Sequence, residues 1–119
     1  ETGRRIEPDE PNAVKLEAFI FDAIPLAASP LVLQTIRAEE FSPVKNATGV
    51  DSEETARRDM NRRCAGWLDA AGFNVPRLAD GEPDGRFEIS PLLALDGAHL
   101  REAVVDSPTI VPGGDNYWE

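Results

Sequence analysis

The chain has 119 residues, enough for one small domain with a modest core, and 41% of them are hydrophobic. Its formal net charge of −10 and its pI near 4.5 disfavour nucleic acid and anionic membrane surfaces as partners, because both attract cationic protein surfaces. The single cysteine, Cys64, can form no internal disulfide, and no apolar run approaches the roughly 20 residues that span a bilayer, so we expect a cytoplasmic protein.

Residues 15–28 are predicted to form the first helix. Five apolar residues recur at the spacing of one helical face: Leu16, Phe19, Ile20, Ala23 and Ala27. Phe21 and Ile24 fall off this stripe, so we expect a helix that is apolar on two sides and packed between layers. Asn12 is a plausible N-cap, and Pro25 is expected to kink the helix or end it early.

Two extended segments and a loop are predicted next. Residues 31–37 are branched and apolar, which is typical of a strand. Residues 41–46 predict a short extended segment, and Pro43 within it favours an edge position or an irregular loop. Residues 46–52 are predicted to be a loop.

Residues 53–71 give the clearest helical pattern in the chain. Asp51 followed by Glu54 predicts a capping box at its start, and Gly72 is placed to end it. One face is apolar: Ala56, Met60, Cys64, Trp67, Leu68 and Ala71. Four arginines lie mostly off that face: Arg57, Arg58, Arg62 and Arg63. The simplest interpretation is a solvated face that pairs with Glu53, Glu54 and Asp59, although an anion or partner site stays open.

The remainder of the chain predicts short elements. Residues 73–86 are rich in turn formers, and residues 87–95 predict a strand that Pro91 breaks into two halves. Residues 99–105 fit a short helix or a strand equally well. Residues 109–111 predict a last short strand before a polar tail.

Metal binding and nucleophilic catalysis find little support in the sequence. His99 and Cys64 are single and lie in no cluster with ligand spacing, so no metal site is predicted. Cys64 lies on an apolar helix face, where a thiol usually serves as inert packing. No Gly-rich phosphate loop follows the strand-to-helix pattern. The residues alone therefore identify no catalytic group.

The two lysines are the candidate phosphate-binding residues. Lys15 and Lys45 stand among ten arginines, and an ammonium can approach a single phosphate oxygen more narrowly than a planar guanidinium. Lys15 opens the first predicted helix, where the helix dipole favours an anion, and Lys45 lies in a proline-stiffened segment. Two fixed cations suit a diphosphate or a sugar phosphate, although an arginine-rich composition alone also makes lysine scarce.

The segments around these lysines resemble the C-terminal part of the UDP-N-acetylhexosamine pyrophosphorylases, within the UTP:sugar-1-phosphate uridylyltransferases. Five motifs carry the resemblance, in family order and at near-family spacing: Pro8-Asp9-Glu10-Pro11-Asn12, Lys15-Leu16-Glu17-Ala18-Phe19-Ile20-Phe21-Asp22, Glu39-Glu40-Phe41-Ser42-Pro43-Val44-Lys45-Asn46, Thr55-Ala56-Arg57 and Glu88-Ile89-Ser90-Pro91-Leu92. Five collinear motifs in one short chain are far more specific than any single motif.

The resemblance implies an α/β fold, which is α+β when this piece is taken alone. Residues 1–50 would end a Rossmann-like nucleotidyltransferase domain that binds the sugar phosphate, and residues 51–119 would form a small C-terminal α/β domain. The family reaction joins a sugar 1-phosphate to UTP with Mg²⁺ and releases pyrophosphate. The sugar 1-phosphate that the resemblance favours is N-acetylglucosamine 1-phosphate. By the same resemblance Lys15 and Lys45 contact the phosphates, and Phe19 and Phe21 border the N-acetyl group of the sugar.

The resemblance also implies that this chain is a fragment. The family's Gly-rich loop with its catalytic arginine, its uracil-binding segments and its metal-binding aspartate have no counterpart in this sequence. We expect the piece to be inactive alone, with the missing N-terminal catalytic domain, UTP and a sugar 1-phosphate as its partners. If Gly3 is the tip of a hairpin, one strand of that hairpin precedes residue 1.

Two alternative functions stay open at this point. The chain could be a non-catalytic interaction or regulatory module that docks through the helix of residues 53–71 and Trp67. It could also belong to an enzyme of the same chemistry that uses glucose or galactose 1-phosphate. The retained segment Phe41-Ser42-Pro43-Val44-Lys45-Asn46 favours the enzyme over the docking module, because docking alone does not require it.

Overall fold

The computed structural model describes residue 3, residues 7–103 and residues 109–119, and the chain divides into two compact units. The first unit ends at Gln34 and the second begins at Thr35. The elements follow in this order: a 3₁₀ helix Ile20–Leu26, α1 Arg37–Glu40, α2 Glu53–Ala70, β1 Arg86–Ile89, α3 Gly97–Ala103 and β2 Asp115–Trp118. The fold is therefore mixed α/β, as the sequence predicted at that coarse level. The Rossmann-like parentage and the functional boundary at residue 50 stay predictions.

The helix predicted over residues 15–28 is wrong in type and in length. Among its described residues the first unit contains one helix, the 3₁₀ helix Ile20–Leu26, and Pro25 lies within it. Proline lacks the N–H of an α-helical hydrogen bond, and its ring clashes with the preceding turn. Every described residue of this unit is exposed, so the predicted packing between layers is also wrong here. A short helix without a buried face lacks the tertiary packing that stabilises most protein helices.

The start of this 3₁₀ helix also differs from the prediction, which placed the N-cap at Asn12. The helix begins after Phe19, whose backbone N–H donates to the Asp22 carboxylate at 3.4 Å. The carbonyl of Phe19 accepts the N–H of Asp22 at 3.0 Å. The first turn is therefore closed by two local hydrogen bonds rather than by an upstream cap.

The strand predicted over residues 31–37 is absent. Strand backbone needs a hydrogen-bonding partner, and the one sheet among the described residues pairs β1 with β2. The chain turns into α1 instead, because the carbonyl of Ile36 accepts the N–H groups of Glu39 and Glu40 at 3.0 and 3.2 Å.

Helix α2 is the centre of the second unit and packs against β1 and α3. The predicted helix over residues 53–71 is confirmed, and its apolar face is partly buried: Cys64 and Leu68 are covered, whereas Met60 is 55% exposed. Burial raises the pKa of the Cys64 thiol, although the backbone N–H of Ile89 donates towards it. The core of the unit consists of Cys64, Ala65, Leu68, Val75, Phe87, Ile89, Ala94 and Leu100.

The N-cap of α2 lies one residue later than predicted. Ser52 caps the helix: its hydroxyl accepts the N–H of Thr55 at 3.4 Å, and its own N–H donates to the Thr55 hydroxyl at 2.9 Å. Asp51 cannot serve as the cap because it takes a left-handed φ of 55° in the preceding loop, whereas an N-cap is extended. At the other end Gly72, with φ 94°, terminates the helix as predicted.

Strands β1 and β2 pair in parallel, with Arg86 opposite Asp115 and Ile89 opposite Trp118. The rings of Phe87 and Trp118 stack with centroids 6.3 Å apart. The other edge of β1 is bonded to α2, since the Asn61 amide accepts the N–H of Phe87 at 2.7 Å and donates to the carbonyl preceding β1 at 3.0 Å. One helix side chain thus takes the place of a third strand.

Three predictions after residue 86 have different outcomes. The first half of the strand predicted over residues 87–95 is confirmed in β1, which stops before Pro91. The segment at residues 99–105, which fitted a helix or a strand, is helical up to Ala103, the last residue of α3. Residues 104 and 105 lie outside the described ranges. Most of the turn predicted at Gly3 also lies outside them. The strand over residues 109–111 is wrong: both backbone groups of Val111 bind the Asn116 side chain, at 2.7 and 3.1 Å. None of the described helices is long and apolar enough to cross a membrane.

Replacement of the buried Leu68 should destabilise the second unit. Leu68 is 1% exposed, and Leu68→Ala leaves a cavity that costs about 2–5 kcal/mol in the free energy of unfolding. Leu92 is 84% exposed, so Leu92→Ala is the matched control and should change it by less than about 0.5 kcal/mol. Urea denaturation followed by tryptophan fluorescence measures both. Equal losses in the two variants would contradict the assigned core.

Candidate functional site

Three of the four predicted site residues lie in the first unit. Lys15 is exposed, and its ammonium pairs with the carboxylate of Glu17. The prediction that a helix N-terminus supports Lys15 is wrong, because the first helix begins only at Ile20. Phe19 and Phe21 are 59% and 68% exposed, so neither ring belongs to a core among the described residues. Their predicted contacts with phosphate and sugar stay predictions.

Lys45 lies in the second unit, within residues 39–46, which we call the lysine segment. Its backbone N–H and that of Asn46 both donate to the carbonyl of Asp51, at 2.7 and 2.9 Å. Its ammonium lies 3.9 Å from the Asp51 carboxylate, and its side chain is 66% exposed. The backbone of Lys45 is therefore fixed while its charge is presented to solvent.

The lysine segment is attached to α2 by three hydrogen bonds. The Ser42 hydroxyl donates to the carboxylate of Asp59 at 2.8 Å. The indole N–H of Trp67 donates to the carboxylate of Glu39 at 2.8 Å, and the Arg63 guanidinium donates to the carbonyl of Glu39 at 3.0 Å. Hydrogen bonds that involve a charged group are the stronger ones, and all three are of this kind.

The α2 residues that hold the lysine segment form one line along the helix. Asp59, Arg63 and Trp67 are spaced at i, i+4 and i+8, so they share a face. The Arg63 guanidinium also lies over the Trp67 ring, 5.0 Å from its centroid. The sequence does not by itself indicate this line, although the four-residue spacing is present, because Arg63 fits a solvated face and Trp67 fits an apolar one.

The space beneath the lysine segment is too small for a substrate. A cavity of about 120 Å³ is bordered by Glu39, Ser42, Asp59 and Arg63. Small-molecule sites usually occupy about 300–1,000 Å³. Lys45 does not border this cavity, and its ammonium lies on the exposed side of the segment.

The arginine face of α2 is mostly compensated by carboxylates, in line with its simplest interpretation. Arg57 pairs with Glu53 of the same helix at 2.9 Å, as predicted. Arg62 pairs with Glu82, outside the helix, at 2.8 Å and lies 3.7 Å from Asp59 within it. The hydrogen bond from Arg62 holds the pKa of Glu82 below its ordinary value. These arginines border an open groove of about 1130 Å³ between α2 and the sheet. Because their charges are paired, we assign no anion site to that groove.

Several curated proteins are similar in sequence to this chain over most of its length. The chain is 36% identical over 93% of its length to a probable UDP-N-acetylglucosamine pyrophosphorylase of Dictyostelium discoideum, covering 23% of that protein. It is 42% identical to the UDP-N-acetylglucosamine pyrophosphorylase of Saccharomyces cerevisiae, over 85% of the chain and 21% of the relative. The chain is homologous to the C-terminal region of the UDP-N-acetylhexosamine pyrophosphorylases. The family recognised from the five motifs is thereby confirmed.

The homology to the pyrophosphorylases covers only part of each relative. A further match is UDP-N-acetylhexosamine pyrophosphorylase-like protein 1 of Homo sapiens, 37% identical over 84% of the chain and 22% of that protein. The chain thus spans about a fifth of the length of these relatives. No protein-family model and no solved structure matches the chain.

The Mg²⁺ that the pyrophosphorylase family implies finds no ligand set in the described part of the chain. No three His, Cys, Asp or Glu side chains come together there. Mg²⁺ is usually bound through one or two carboxylates together with substrate phosphates. We therefore assign no Mg²⁺ ligand to the described residues and derive no step through the ion.

Removal of the Ser52 hydroxyl should loosen the loop that anchors Lys45. Ser52 is fully buried, and its hydroxyl also donates to the carbonyl of Gly49 at 2.7 Å. Ser52→Ala loses this bond and the helix cap, so we expect a loss of about 1–2 kcal/mol in the free energy of unfolding. The amides of Lys45 and Asn46 should exchange faster with deuterium, because their hydrogen-bond acceptor is the carbonyl of Asp51, the residue next to Ser52.

Thr48 provides the control for this loop, because its side chain is exposed. Thr48→Ala should change the free energy of unfolding by less than about 0.5 kcal/mol. Unchanged amide exchange at Lys45 in Ser52→Ala would show that the cap does not support the lysine segment.

Proposed function

We propose that the full-length protein containing this chain transfers a uridylyl group from UTP to a sugar 1-phosphate. In this reaction a phosphate oxygen of the sugar 1-phosphate attacks the α-phosphorus of UTP, and the bond to the departing pyrophosphate breaks. The relatives are named for N-acetylglucosamine or N-acetylhexosamine, which supports N-acetylglucosamine 1-phosphate as the acceptor. This chain would contribute part of the sugar-phosphate side of the site.

The observation that carries this proposal is the presentation of Lys45. The backbone N–H groups of Lys45 and of the adjacent Asn46 both donate to the carbonyl of Asp51, while the Lys45 ammonium is exposed. A cation held in this way can bind the phosphate of the ground state and stabilise the negative charge that builds on its oxygens during transfer. Preorganisation matters because a charge that is already in position costs no rearrangement when the reaction occurs.

The remaining parts of the proposal follow the family resemblance. Lys15 would supply a second phosphate contact, and Phe19 and Phe21 would border the N-acetyl group from the first unit. Residues 1–50 would belong to the catalytic domain and residues 51–119 to the C-terminal domain. Mg²⁺, held elsewhere in the enzyme, would neutralise phosphate charge, and the catalytic residues would also lie outside these 119 residues. The sequence arguments favour the cytoplasm.

A docking role for α2 through Trp67 has less support. The Trp67 side chain is partly buried against the core, and its indole N–H is bonded to Glu39 within the same chain. Partner anchors are usually aromatic side chains that a partner buries. Trp67 offers little of its ring for that purpose, so the enzyme remains the better-supported function.

Lys45→Ala tests the proposed role in the full-length protein with UTP, Mg²⁺ and N-acetylglucosamine 1-phosphate. A hydrogen bond to a charged group contributes about 1.5–3 kcal/mol, so kcat/KM should fall about 10- to 150-fold. Arg57→Ala is the control, since it removes one positive charge from the exposed side of α2. A rate unaffected by Lys45→Ala would exclude the assigned role of Lys45. Absence of turnover by the unmodified protein would contradict the proposed reaction itself.

Substitution of the aromatic pair tests sugar preference. Phe19→Ala and Phe21→Ala should lower kcat/KM for N-acetylglucosamine 1-phosphate more than for glucose 1-phosphate, because only the first sugar carries the apolar acetyl group. Loss of a full aromatic contact predicts about a tenfold change in the ratio of the two kcat/KM values. An unchanged ratio, or a preference of the unmodified enzyme for glucose or galactose 1-phosphate, would contradict the N-acetyl pocket.

A further inference from the structure

We infer that Glu39 is a positioning residue for Lys45 and that it acts through Trp67 and Arg63 of α2. The inference rests on the proposed function, because it explains how the phosphate-binding lysine is held in place. Glu39 does not itself meet the phosphate. It fixes the end of the lysine segment opposite to Lys45.

Glu39 is bound to α2 through both its backbone and its side chain. Arg63 binds its carbonyl at 3.0 Å, and Trp67 binds its carboxylate at 2.8 Å. Trp67 is itself supported from α3, where a Cβ added at Gly97 would lie 3.4 Å from the indole. Glu39 is thus attached to side chains that have little freedom to move.

The lysine segment is attached at both of its ends, to α2 at Glu39 and to the loop that precedes α2 at Lys45. Glu39 is bound near the C-terminal third of the helix, whereas Lys45 is bonded to Asp51, which directly precedes the N-cap Ser52. Between them Ser42 is bonded to Asp59, and Pro43 restricts the backbone. A short segment held at these three points can adopt few backbone conformations, so release of Glu39 would widen the range of positions open to Lys45.

The consequence for catalysis is specific to one substrate. A misplacement of about 1 Å between a reacting group and the residue that binds it can cost up to about 100-fold in rate. Release of Glu39 leaves the charge of Lys45 intact but loosens its position. The affinity for the phosphate that Lys45 meets should therefore fall, while the affinity for the other substrate should not.

The test uses Trp67→Phe in the full-length enzyme, alone and combined with Lys45→Ala. This change removes the indole N–H and keeps an aromatic ring packed against the core. We expect KM for the sugar 1-phosphate to rise about 3- to 10-fold, with KM for UTP and the melting temperature little changed. In the Lys45→Ala background the same substitution should have no further effect, because its target is already gone.

Two variants of Glu39 provide an independent route if Trp67→Phe folds poorly. Glu39→Gln keeps an oxygen that accepts the indole N–H, so its KM should lie between those of the unmodified enzyme and Glu39→Ala. Glu54→Gln, which removes an exposed carboxylate from the first turn of α2, is the control and should leave KM unchanged.

The outcomes separate this inference from the proposed function. If Lys45→Ala lowers kcat/KM but Glu39→Ala and Trp67→Phe change KM equally with and without Lys45, the positioning role is wrong and the proposed function stands. If Lys45→Ala has no effect, both are wrong. Loss of activity that follows the loss of melting temperature in every variant would make Glu39 a structural residue only.

Discussion

The second unit depends on the burial of one face of α2 against β1 and α3. Leu68 and Leu100 are completely enclosed at this contact, and Cys64 lies against the strand. Burial of a leucine side chain contributes about 1.5–3 kcal/mol relative to exposure, whereas the ion pairs on the outer face of α2 are exposed and contribute little. The hydrophobic contact therefore fixes the helix, and the polar contacts are arranged on a helix that is already in place.

Different faces of α2 serve different purposes. One face forms the core, Asn61 occupies the edge of β1, and the line of Asp59, Arg63 and Trp67 binds the lysine segment. A single rigid helix can thus hold an irregular segment in one geometry without a second sheet. The stability of the core and the position of Lys45 are linked in this arrangement, because a displacement of α2 from its core also moves the residues that hold the lysine segment.

The sequence predicted the parts of the fold whose pattern is local. The periodicity of residues 53–71, the termination at Gly72 and the first half of the strand before Pro91 are all confirmed. The prediction of a helix over residues 15–28 is wrong because an apolar stripe stabilises a helix only when another surface covers it. The final strand, β2, was not predicted because its sequence has no apolar alternation. The strand predicted over residues 109–111 is replaced by hydrogen bonds between the Val111 backbone and the Asn116 side chain. Motif order identified the family, but the bond between Glu39 and Trp67 joins residues far apart in sequence and has no local signature.

The position of Cys64 makes the helix–strand contact chemically observable. The thiol is buried between α2 and β1, and burial raises its pKa, so the reactive thiolate is scarce while the contact is closed. Because Cys64 is only 5% exposed, an alkylating reagent reaches the sulfur more readily when a local opening lifts α2 from the strand. Because Cys64 is the one cysteine in the sequence, the labelling rate of the native protein reads the frequency of that opening without any engineered probe. Any binding event that immobilises the lysine segment on Arg63 and Trp67 would then slow the modification of the neighbouring Cys64 sulfur.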